Sequence, residues 1–354
     1  MRPTAQLAEL GQSIWLDNIT RTLLDDGVIA EHIKERSVTG LTSNPSIFDK
    51  AIASGAYDES IRASSGDPEA VFFSLALEDL TRAADLFAPI HQATDGVDGF
   101  VSLEVSPEIA NDAAATVAAA TELFARAQRP NLFIKIPGTP EGLPAIEEAI
   151  FAGVPVNVTL LFDASQYEAA AQAYLRGIER RLEAGLDPKV ASVASVFMSR
   201  WDVSVNDLVG DELRDQLALA VGRKVYATHH ELLASPHWQA VLEAGARPQR
   251  VLWASTSAKD PRTPDDLYVR CLAAPNTVNT MPDVTLEAFY DHGTLDGVLP
   301  EDGGDCDEVL ARFAGAGIDV PALAHTLQVD GAASFVTAWR QLIAHVEEHL
   351  GGAS

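Results

Sequence analysis

Eight short apolar segments that alternate with helix-like segments predict an α/β protein folded as a closed (β/α)8 TIM barrel. Each segment is short and ends at glycine, proline or polar residues, as buried parallel strands do. Alternating strands and helices favour right-handed βαβ units, and eight such units favour a closed sheet. The predicted strands are 13–17 (SIWLD), 38–44 (VTGLTSN), 99–105 (GFVSLEV), 131–137 (NLFIKIP), 154–162 (VPVNVTLLF), 190–197 (VASVASVF), 250–255 (RVLWAS) and 276–281 (NTVNTM).

Two parts of the chain exceed what a minimal barrel needs. Residues 46–96 follow the second strand with a helical pattern that breaks near 64–68, which predicts additional helices there. Three more helical stretches follow Pro282, and the last, over 332–350, carries an apolar stripe suited to packing on the barrel. We therefore expect a single domain over 1–354, with 283–354 forming C-terminal helices on the barrel.

The composition narrows the class of partner. The chain has 25 basic and 51 acidic residues among 354, a net charge of −26, so it should repel nucleic acid and anionic membranes. Its two cysteines, Cys271 and Cys306, have no metal-binding or CxxC spacing, as expected in a reducing compartment. Without a signal-like or membrane-spanning apolar run, we expect a cytoplasmic location.

One lysine lies in an unusual place. Of six lysines, Lys135 alone interrupts a buried-strand pattern, between Ile134 and Ile136. Burial disfavours the ammonium form, and a neutral lysine amine is a nucleophile that forms Schiff bases with carbonyl compounds. A lysine that snorkels from a strand end, or pairs with a buried acid, is the structural alternative.

Polar residues mark the carboxyl end of every predicted strand. In a parallel barrel these ends form the active-site face, so their side chains should converge. The residues are Asp17, Asn44, Glu104, Lys135, Asn157 with Thr159, Ser195, Ser255 and Asn279. Asp17 and Asn44 also suit helix caps, and Ser195 also suits simple packing. Together the set offers an amine, two carboxylates and several hydroxyl-binding groups, which suits carbonyl chemistry on a polyol.

The remaining motifs give little support for a nucleotide or metal site. No GxxxxGK[ST] or GxGxxG follows a strand, so nucleotide binding has little support. His229, His230 and His237 lie on a helix-like stretch, where a solvent-facing surface is the simpler interpretation and a metal site the alternative.

Seven segments together resemble the transaldolase family, Schiff-base enzymes of the pentose phosphate pathway. They are WLDNITR (15–21), GLTSNPSIF (40–48), VSLEV (101–105), NLFIKIPGT (131–139), VNVTLLF (156–162), SVFMSRWD (195–202) and WASTSAK (253–259). Their order and spacing hold over almost the whole chain. The resemblance implies transfer of a dihydroxyacetone unit from sedoheptulose 7-phosphate to glyceraldehyde 3-phosphate, which gives erythrose 4-phosphate and fructose 6-phosphate.

The resemblance also implies residue roles. Lys135 would form the imine, Glu104 would move protons through a water held by Thr159, and Asp17 would take the proton of the substrate hydroxyl. The remaining matched residues would bind substrate: Asn44, Asn157 and Ser195 the three-carbon unit, and Arg200 with Ser255 the phosphate. No metal or organic cofactor is implied, because the protonated imine itself accepts electrons.

Some positions depart from the family pattern. Ser257 stands where better-known members carry a second phosphate-binding arginine, so Lys259 is the candidate substitute. Fructose 6-phosphate aldolases, the lyase alternative, carry glutamine and tyrosine at the positions of Glu104 and Phe197, and both residues here favour the transferase. A non-catalytic sugar-phosphate-binding barrel is the alternative from another class. The sequence leaves open a monomer or a homodimer.

Overall fold

A computed structural model of the protein describes residues 1–295 and 297–351. Within these residues, eight parallel strands close into one barrel in chain order. The strands are β1 (Ser13–Leu16), β2 (Val38–Thr42), β3 (Val101–Glu104), β4 (Leu132–Pro137), β5 (Val156–Leu161), β6 (Ser192–Phe197), β7 (Arg250–Ala254) and β8 (Val278–Met281). The predicted (β/α)8 TIM barrel is confirmed, with each strand inside its predicted segment.

Helices surround the barrel. They are α1 (Pro3–Leu10), α2 (Arg21–Asp25), α3 (Val28–Glu35), α4 (Pro45–Ala53), α5 (Asp58–Arg62), α6 (Pro68–Ala93), α7 (Ala113–Ala127), α8 (Leu143–Ala152), α9 (Ala164–Glu183), α10 (Ser199–Val205), α11 (Leu217–Ala234), α12 (Pro236–Glu243), α13 (Leu267–Arg270), α14 (Asp283–His292), α15 (Cys306–Gly315) and α16 (Val320–Gly351). A 3₁₀ turn covers Pro107–Ile109. The extra helices predicted after the second strand are α4, α5 and α6.

The C-terminal segment consists of helices α14, α15 and α16, and its residues 296 and 352–354 lie outside the described part. Its last helix, α16, packs against α4, α5 and α6 and also reaches β5. Trp339, Leu342 and Val346 are the buried stripe that the sequence indicated, and Trp339 meets Phe72 edge to face. The helices inserted after β2 thus provide the platform that holds α16 over the barrel.

The opposite, N-terminal end of the barrel is closed by a buried polar network. Arg250 is 8% exposed and donates to the Ser13 hydroxyl at 2.7 Å and to the Thr277 carbonyl at 2.8 Å. Asp98 accepts hydrogen bonds from Ser13 and from the indole of Trp15. Because buried charges need such partners, this network serves stability and leaves the carboxyl ends of the strands as the open face.

The histidine prediction was wrong for His229. This side chain is 4% exposed and hydrogen-bonds the Tyr167 hydroxyl at 2.7 Å, between α11 and α9. Burial lowers the pKa of His229 to about 3, so the ring stays neutral. Within the part of the chain that the structure covers, no group of three His, Cys, Asp or Glu residues is placed to hold a metal ion.

Candidate active site

Strand register places the central polar residues side by side. Glu104 on β3 aligns with Lys135 on β4, and Lys135 aligns with Asn157 on β5. Side chains at aligned positions point to the same face of a sheet, here the barrel interior. Apolar neighbours of Lys135 on the same strand, Ile134 and Ile136, face the surrounding helices and are fully buried. Alternation along each strand therefore brings an amine and a carboxylate together inside the barrel.

Lys135 and Glu104 form a buried ion pair. Their Nζ and Oε1 atoms lie 2.6 Å apart, and the side chains are 7% and 8% exposed. The ammonium also donates to the Ser43 carbonyl at 3.0 Å. Such partners compensate a buried charge, and the contact is the ion pair with a buried acid that the sequence left open as an alternative. Lys135 becomes nucleophilic only after a proton leaves it, and Glu104 is the carboxylate in contact.

Both carboxyl groups of the site, Glu104 and Asp17, have raised pKa values. Burial raises the pKa of Glu104 above its ordinary value, the charge of Asp17 adds to the rise, and Lys135 opposes it. Burial likewise raises the pKa of Asp17, against the lowering effects of Lys135, a hydrogen bond from Thr42 and Lys259. Raised carboxylate pKa values are typical of groups that exchange protons near neutral pH.

Thr159 has a buried hydroxyl, with its Oγ atom unpaired within the described residues. Buried hydroxyl groups without a partner are rare and indicate a place for water or ligand. Thr159 borders both the main cavity, of about 250 Å³, and a more apolar side cavity of about 250 Å³ that also touches Glu104. The hydroxyl is therefore close to Lys135 and Glu104 and available to a bound molecule.

The main cavity collects most of the predicted site residues. Its walls include Asp17, Asn44, Lys135, Thr159, Ser195, Arg200, Ser255 and Lys259. Glu104 lines the side cavity instead, and Asn157 is fully buried behind the wall, where its side-chain oxygen accepts from Ser195 at 2.7 Å. Asn279, predicted at the same ring of strand ends, does not line the main cavity, and its amide points to the Tyr268 carbonyl.

Asn44 caps a helix, which is one of the two roles that its sequence context suggested. Its side-chain oxygen accepts a hydrogen bond from the Ile47 amide at 3.1 Å and caps α4. Asn44 also lines the main cavity. The helix cap is therefore confirmed and is compatible with substrate binding, which stays a prediction.

Cationic side chains lie at the outer end of the cavity. Arg200, on α10, is partly buried, burial lowers its pKa, and its guanidinium has no ion pair or hydrogen bond with another described residue. The Phe197 ring lies 5.1 Å from the guanidinium carbon. Ser255 hydrogen-bonds Ser199 at 2.9 Å, and Lys259 is exposed at the rim. An unpaired, desolvated arginine beside hydroxyl groups is suited to an anion such as a phosphate.

Several cavity residues were not singled out from the sequence. Thr42 donates to Asp17 at 2.8 Å and also contacts Thr280. Ser334 and Phe335 reach the cavity from α16, far away in the chain. Thr42 had a detectable signal, because it shares strand parity with Asn44. The α16 residues had none, because helix periodicity tells which face is buried and not which cavity it covers.

Asp202 ties the arginine-bearing helix to its surroundings. Its carboxylate is 1% exposed and accepts hydrogen bonds from the Tyr268 hydroxyl at 2.7 Å and the Ala218 amide at 3.1 Å. Burial raises the pKa of Asp202 to about 6, despite those hydrogen bonds. Since Asp202 follows Arg200 by two residues on α10, its protonation state affects the anchoring of the helix that carries the cation.

Comparison with known proteins agrees with this arrangement. The transaldolase/fructose-6-phosphate aldolase family model matches residues 14–346. A relative called transaldolase from Acidothermus cellulolyticus is 45% identical over 360 residues, 98% of this chain and 97% of its own. Transaldolases of Thermobifida fusca and Parafrankia sp. are 45% and 43% identical, with 98% and 100% of this chain covered and 98% and 99% of theirs.

The fold and site define a class first: a (β/α)8-barrel protein whose open face holds a buried lysine paired with a carboxylate. Within that class, the match over nearly the whole length is decisive. The chain belongs to the transaldolase/fructose-6-phosphate aldolase family. Among the described residues, no helix has the length and apolar character needed to cross a membrane.

The anchoring of α10 gives a pH prediction. The folded-state pKa of Asp202, about 6, exceeds the ordinary value of 3.8, so the folded state holds this proton more tightly than the unfolded state. The stabilisation that this proton gives is fully present below the ordinary pKa of 3.8. It is lost as the pH rises through the folded-state pKa of about 6. Relative to Asp202→Asn, the wild type should lose about 1–2 kcal/mol of unfolding free energy between about pH 5 and about pH 7.5.

Chemical denaturation at several pH values measures this difference. Asp211→Asn, at a fully exposed aspartate, is the matched control and should show no such pH-dependent difference. A constant difference between wild type and Asp202→Asn would contradict the assigned pKa.

Proposed function

We propose that the protein is a transaldolase, which transfers a dihydroxyacetone unit from sedoheptulose 7-phosphate to glyceraldehyde 3-phosphate. The products are erythrose 4-phosphate and fructose 6-phosphate. The supporting observation is the buried ion pair of Lys135 and Glu104, with Nζ and Oε1 2.6 Å apart at the open end of the barrel. A lysine held there beside a proton acceptor suits imine formation with a ketose.

Imine formation begins with a proton transfer from Lys135 to Glu104. The raised pKa of Glu104 makes it basic enough to accept this proton. The free amine then adds to the ketone carbon of the substrate, and a proton passes from the newly bonded nitrogen to the former carbonyl oxygen, which becomes a hydroxyl group. Glu104 returns its proton, through a water held by the unpaired Thr159 hydroxyl, and the hydroxyl group leaves as water. The product is a protonated imine on Lys135.

Carbon–carbon cleavage uses the second carboxylate. Asp17 lines the same cavity as Lys135. When ionised, it takes the proton of a substrate hydroxyl group, the one on the carbon that leaves with the aldose phosphate. The electron pair of that bond moves into the imine, which becomes an enamine, and an aldose phosphate leaves. Because the protonated imine accepts the electrons, the proposal needs no metal or organic cofactor.

Retention of the three-carbon unit distinguishes a transferase from a lyase. Asn44, Ser195 and the buried Asn157 give that unit a polar pocket around Lys135. Phe197 contributes a ring without a hydroxyl group, packed against Phe162 with centroids 5.5 Å apart. Phe197 therefore offers no hydroxyl group to activate water at this position, which favours the next aldose phosphate as the partner of the enamine.

Sugar phosphates are the proposed substrates because the outer cavity carries the cations. Arg200 and Ser255 would bind the phosphate, with Lys259 adding charge at the rim and Ser257 a further hydroxyl in the same cavity. These groups offset the strongly negative protein locally.

We also propose that residues 1–354 act as one domain in the cytoplasm. Support for a single domain comes from α16, which packs on α4 and α6 while adding Phe335 to the cavity of the barrel. Support for the location comes from the spacing of Cys271 and Cys306, which forms no CxxC or metal-binding motif, as expected in a reducing compartment.

A product assay tests transfer directly. With fructose 6-phosphate and erythrose 4-phosphate together, the wild type should form sedoheptulose 7-phosphate over many turnovers. With fructose 6-phosphate alone, it should release glyceraldehyde 3-phosphate only about once per enzyme, without free dihydroxyacetone. Lys135→Met should lower turnover by about a thousandfold or more, because the nucleophile is absent.

The control is Lys50→Met, at an exposed lysine outside the cavity, which should keep full activity. Sustained release of free dihydroxyacetone would support a lyase instead, and an active Lys135→Met would overturn the mechanism.

The phosphate proposal predicts an effect of Lys259→Ala on substrate affinity. An exposed rim charge contributes about 1 kcal/mol, so the Michaelis constant for fructose 6-phosphate should rise about fivefold, with a smaller change in kcat. Because Lys259 lowers the pKa of Asp17, its removal raises that pKa further, and the acid limb of kcat/KM should move to higher pH.

Steady-state kinetics across pH give both quantities. Lys34→Ala, which removes a lysine that pairs with Glu35 and does not line the cavity, is the charge-matched control. An unchanged Michaelis constant for Lys259→Ala would rule out its part in phosphate binding.

A further inference from the structure

Gln328 connects the last helix to two strand ends at the active site. Its side chain is 4% exposed, and its Nε2 atom donates to the Leu160 carbonyl at 3.0 Å and to the Gly138 carbonyl at 3.2 Å. Leu160 lies at the end of β5, and Gly138 directly follows β4. One amide group thus bridges the strand that carries Thr159 and the strand that carries Lys135.

The bridged end of β5 is conformationally strained. Leu160 has φ of 62°, in the left-handed region that bulky residues rarely occupy. The pairing of β5 with β6 also shifts register between Val158 and Leu161. Such conformations cost about 1–3 kcal/mol and persist where the surroundings fix them, often at active sites. Thr159, whose hydroxyl is unpaired in the site, immediately precedes this residue.

A second hydrogen bond completes the connection. The Gly138 amide donates to the Thr159 carbonyl at 2.7 Å. Gly138 is therefore held at both of its backbone polar groups. Its N–H donates to Thr159, and its carbonyl accepts from Gln328. Loss of the Gln328 amide would leave the buried Leu160 and Gly138 carbonyls without this donor and free the Leu160–Leu161 peptide, next to Thr159, to relax.

Helix α16 lies very close to the end of β5 at Leu160. Gly331, one turn after Gln328, would place an added Cβ 3.0 Å from Leu160 Cδ2 and 3.3 Å from Arg200 Nη1. A glycine inside a helix costs about 1 kcal/mol relative to alanine, so its presence fits a packing requirement. The same turn of α16 therefore contacts the strained residue of β5 and the arginine of the candidate phosphate site.

We propose that Gln328 is a positioning residue that sets the Thr159 hydroxyl relative to Lys135 by bridging the ends of β5 and β4. The inference rests on the proposed function only through the roles given to Lys135 and Thr159. Gln328 itself does not line the main cavity, so it acts through the backbone and not on the substrate. Its loss should slow the chemical steps and leave phosphate binding largely intact.

The test replaces Gln328 with methionine, which is close in length and has no N–H donor. Gln328→Met should lower kcat by about 10- to 100-fold, because a small misplacement of a catalytic group slows the reaction by about that much. The Michaelis constant for fructose 6-phosphate should change less than about twofold. Gln341→Met, at an exposed glutamine of the same helix, is the matched control and should match the wild type. Gln328→Asn keeps the amide on a shorter chain and should lie between.

A double-mutant cycle separates positioning from general weakening of the fold. If Gln328 acts through Thr159, the effects of Gln328→Met and Thr159→Ala on kcat should be strongly non-additive. The effects of Gln328→Met and Lys259→Ala should multiply, since Lys259 lies at the rim. If Gln328→Met does not fold, the same cycle is run with Gln328→Asn.

Three results for Gln328→Met would each overturn the proposal. They are full additivity with Thr159→Ala, an unchanged kcat, and a rise in the Michaelis constant that accounts for the whole fall in kcat/KM. A wild type without transferase turnover would remove the proposed function and this inference together. Wild-type turnover with an unaffected Gln328→Met would remove this inference alone.

Discussion

The buried contact between Lys135 and Glu104 is the constraint on which the rest of the site depends. An ammonium and a carboxylate, each less than a tenth exposed, lie 2.6 Å apart inside the barrel. Removing one partner of such a pair leaves an uncompensated charge and typically costs about 3–5 kcal/mol. The pair is also reactive, because a single proton transfer converts it into a neutral amine beside a neutral acid.

The parallel barrel meets this constraint through register. Adjacent strands place Glu104, Lys135 and Asn157 at one level, and their inward parity removes all three from water. Asp17 lies across the cavity, where burial raises its pKa as it does that of Glu104. Raised carboxylate pKa values are typical of groups that exchange protons with a substrate. Arg200, which has no ion pair among the described residues, and the exposed Lys259 add positive charge to this cavity of a strongly acidic chain.

Local sequence was enough to predict much of this arrangement. Strand segments were short, apolar and well bounded, so parity along them identified Glu104, Lys135 and Thr159 as one converging set. The ion pair of Lys135 with Glu104 was not predictable as such, because strand parity does not give the distance between the two side chains. His229 was misplaced for a related reason: a histidine on a helix has no local mark of the tyrosine that buries it. The contributions of Gln328, Gly331 and Phe335 depend on contacts more than a hundred residues apart in the chain, which periodicity does not encode.

The most direct test of the account is covalent trapping. The protein would be incubated with fructose 6-phosphate and borohydride, and its peptides mapped by mass spectrometry, since reduction converts an imine into a stable amine. The account predicts a dihydroxyacetone-derived mass on the peptide that contains Lys135, which identifies the nucleophile and the retained three-carbon unit together. An adduct on another lysine, or an unmodified protein under conditions of turnover, would contradict it.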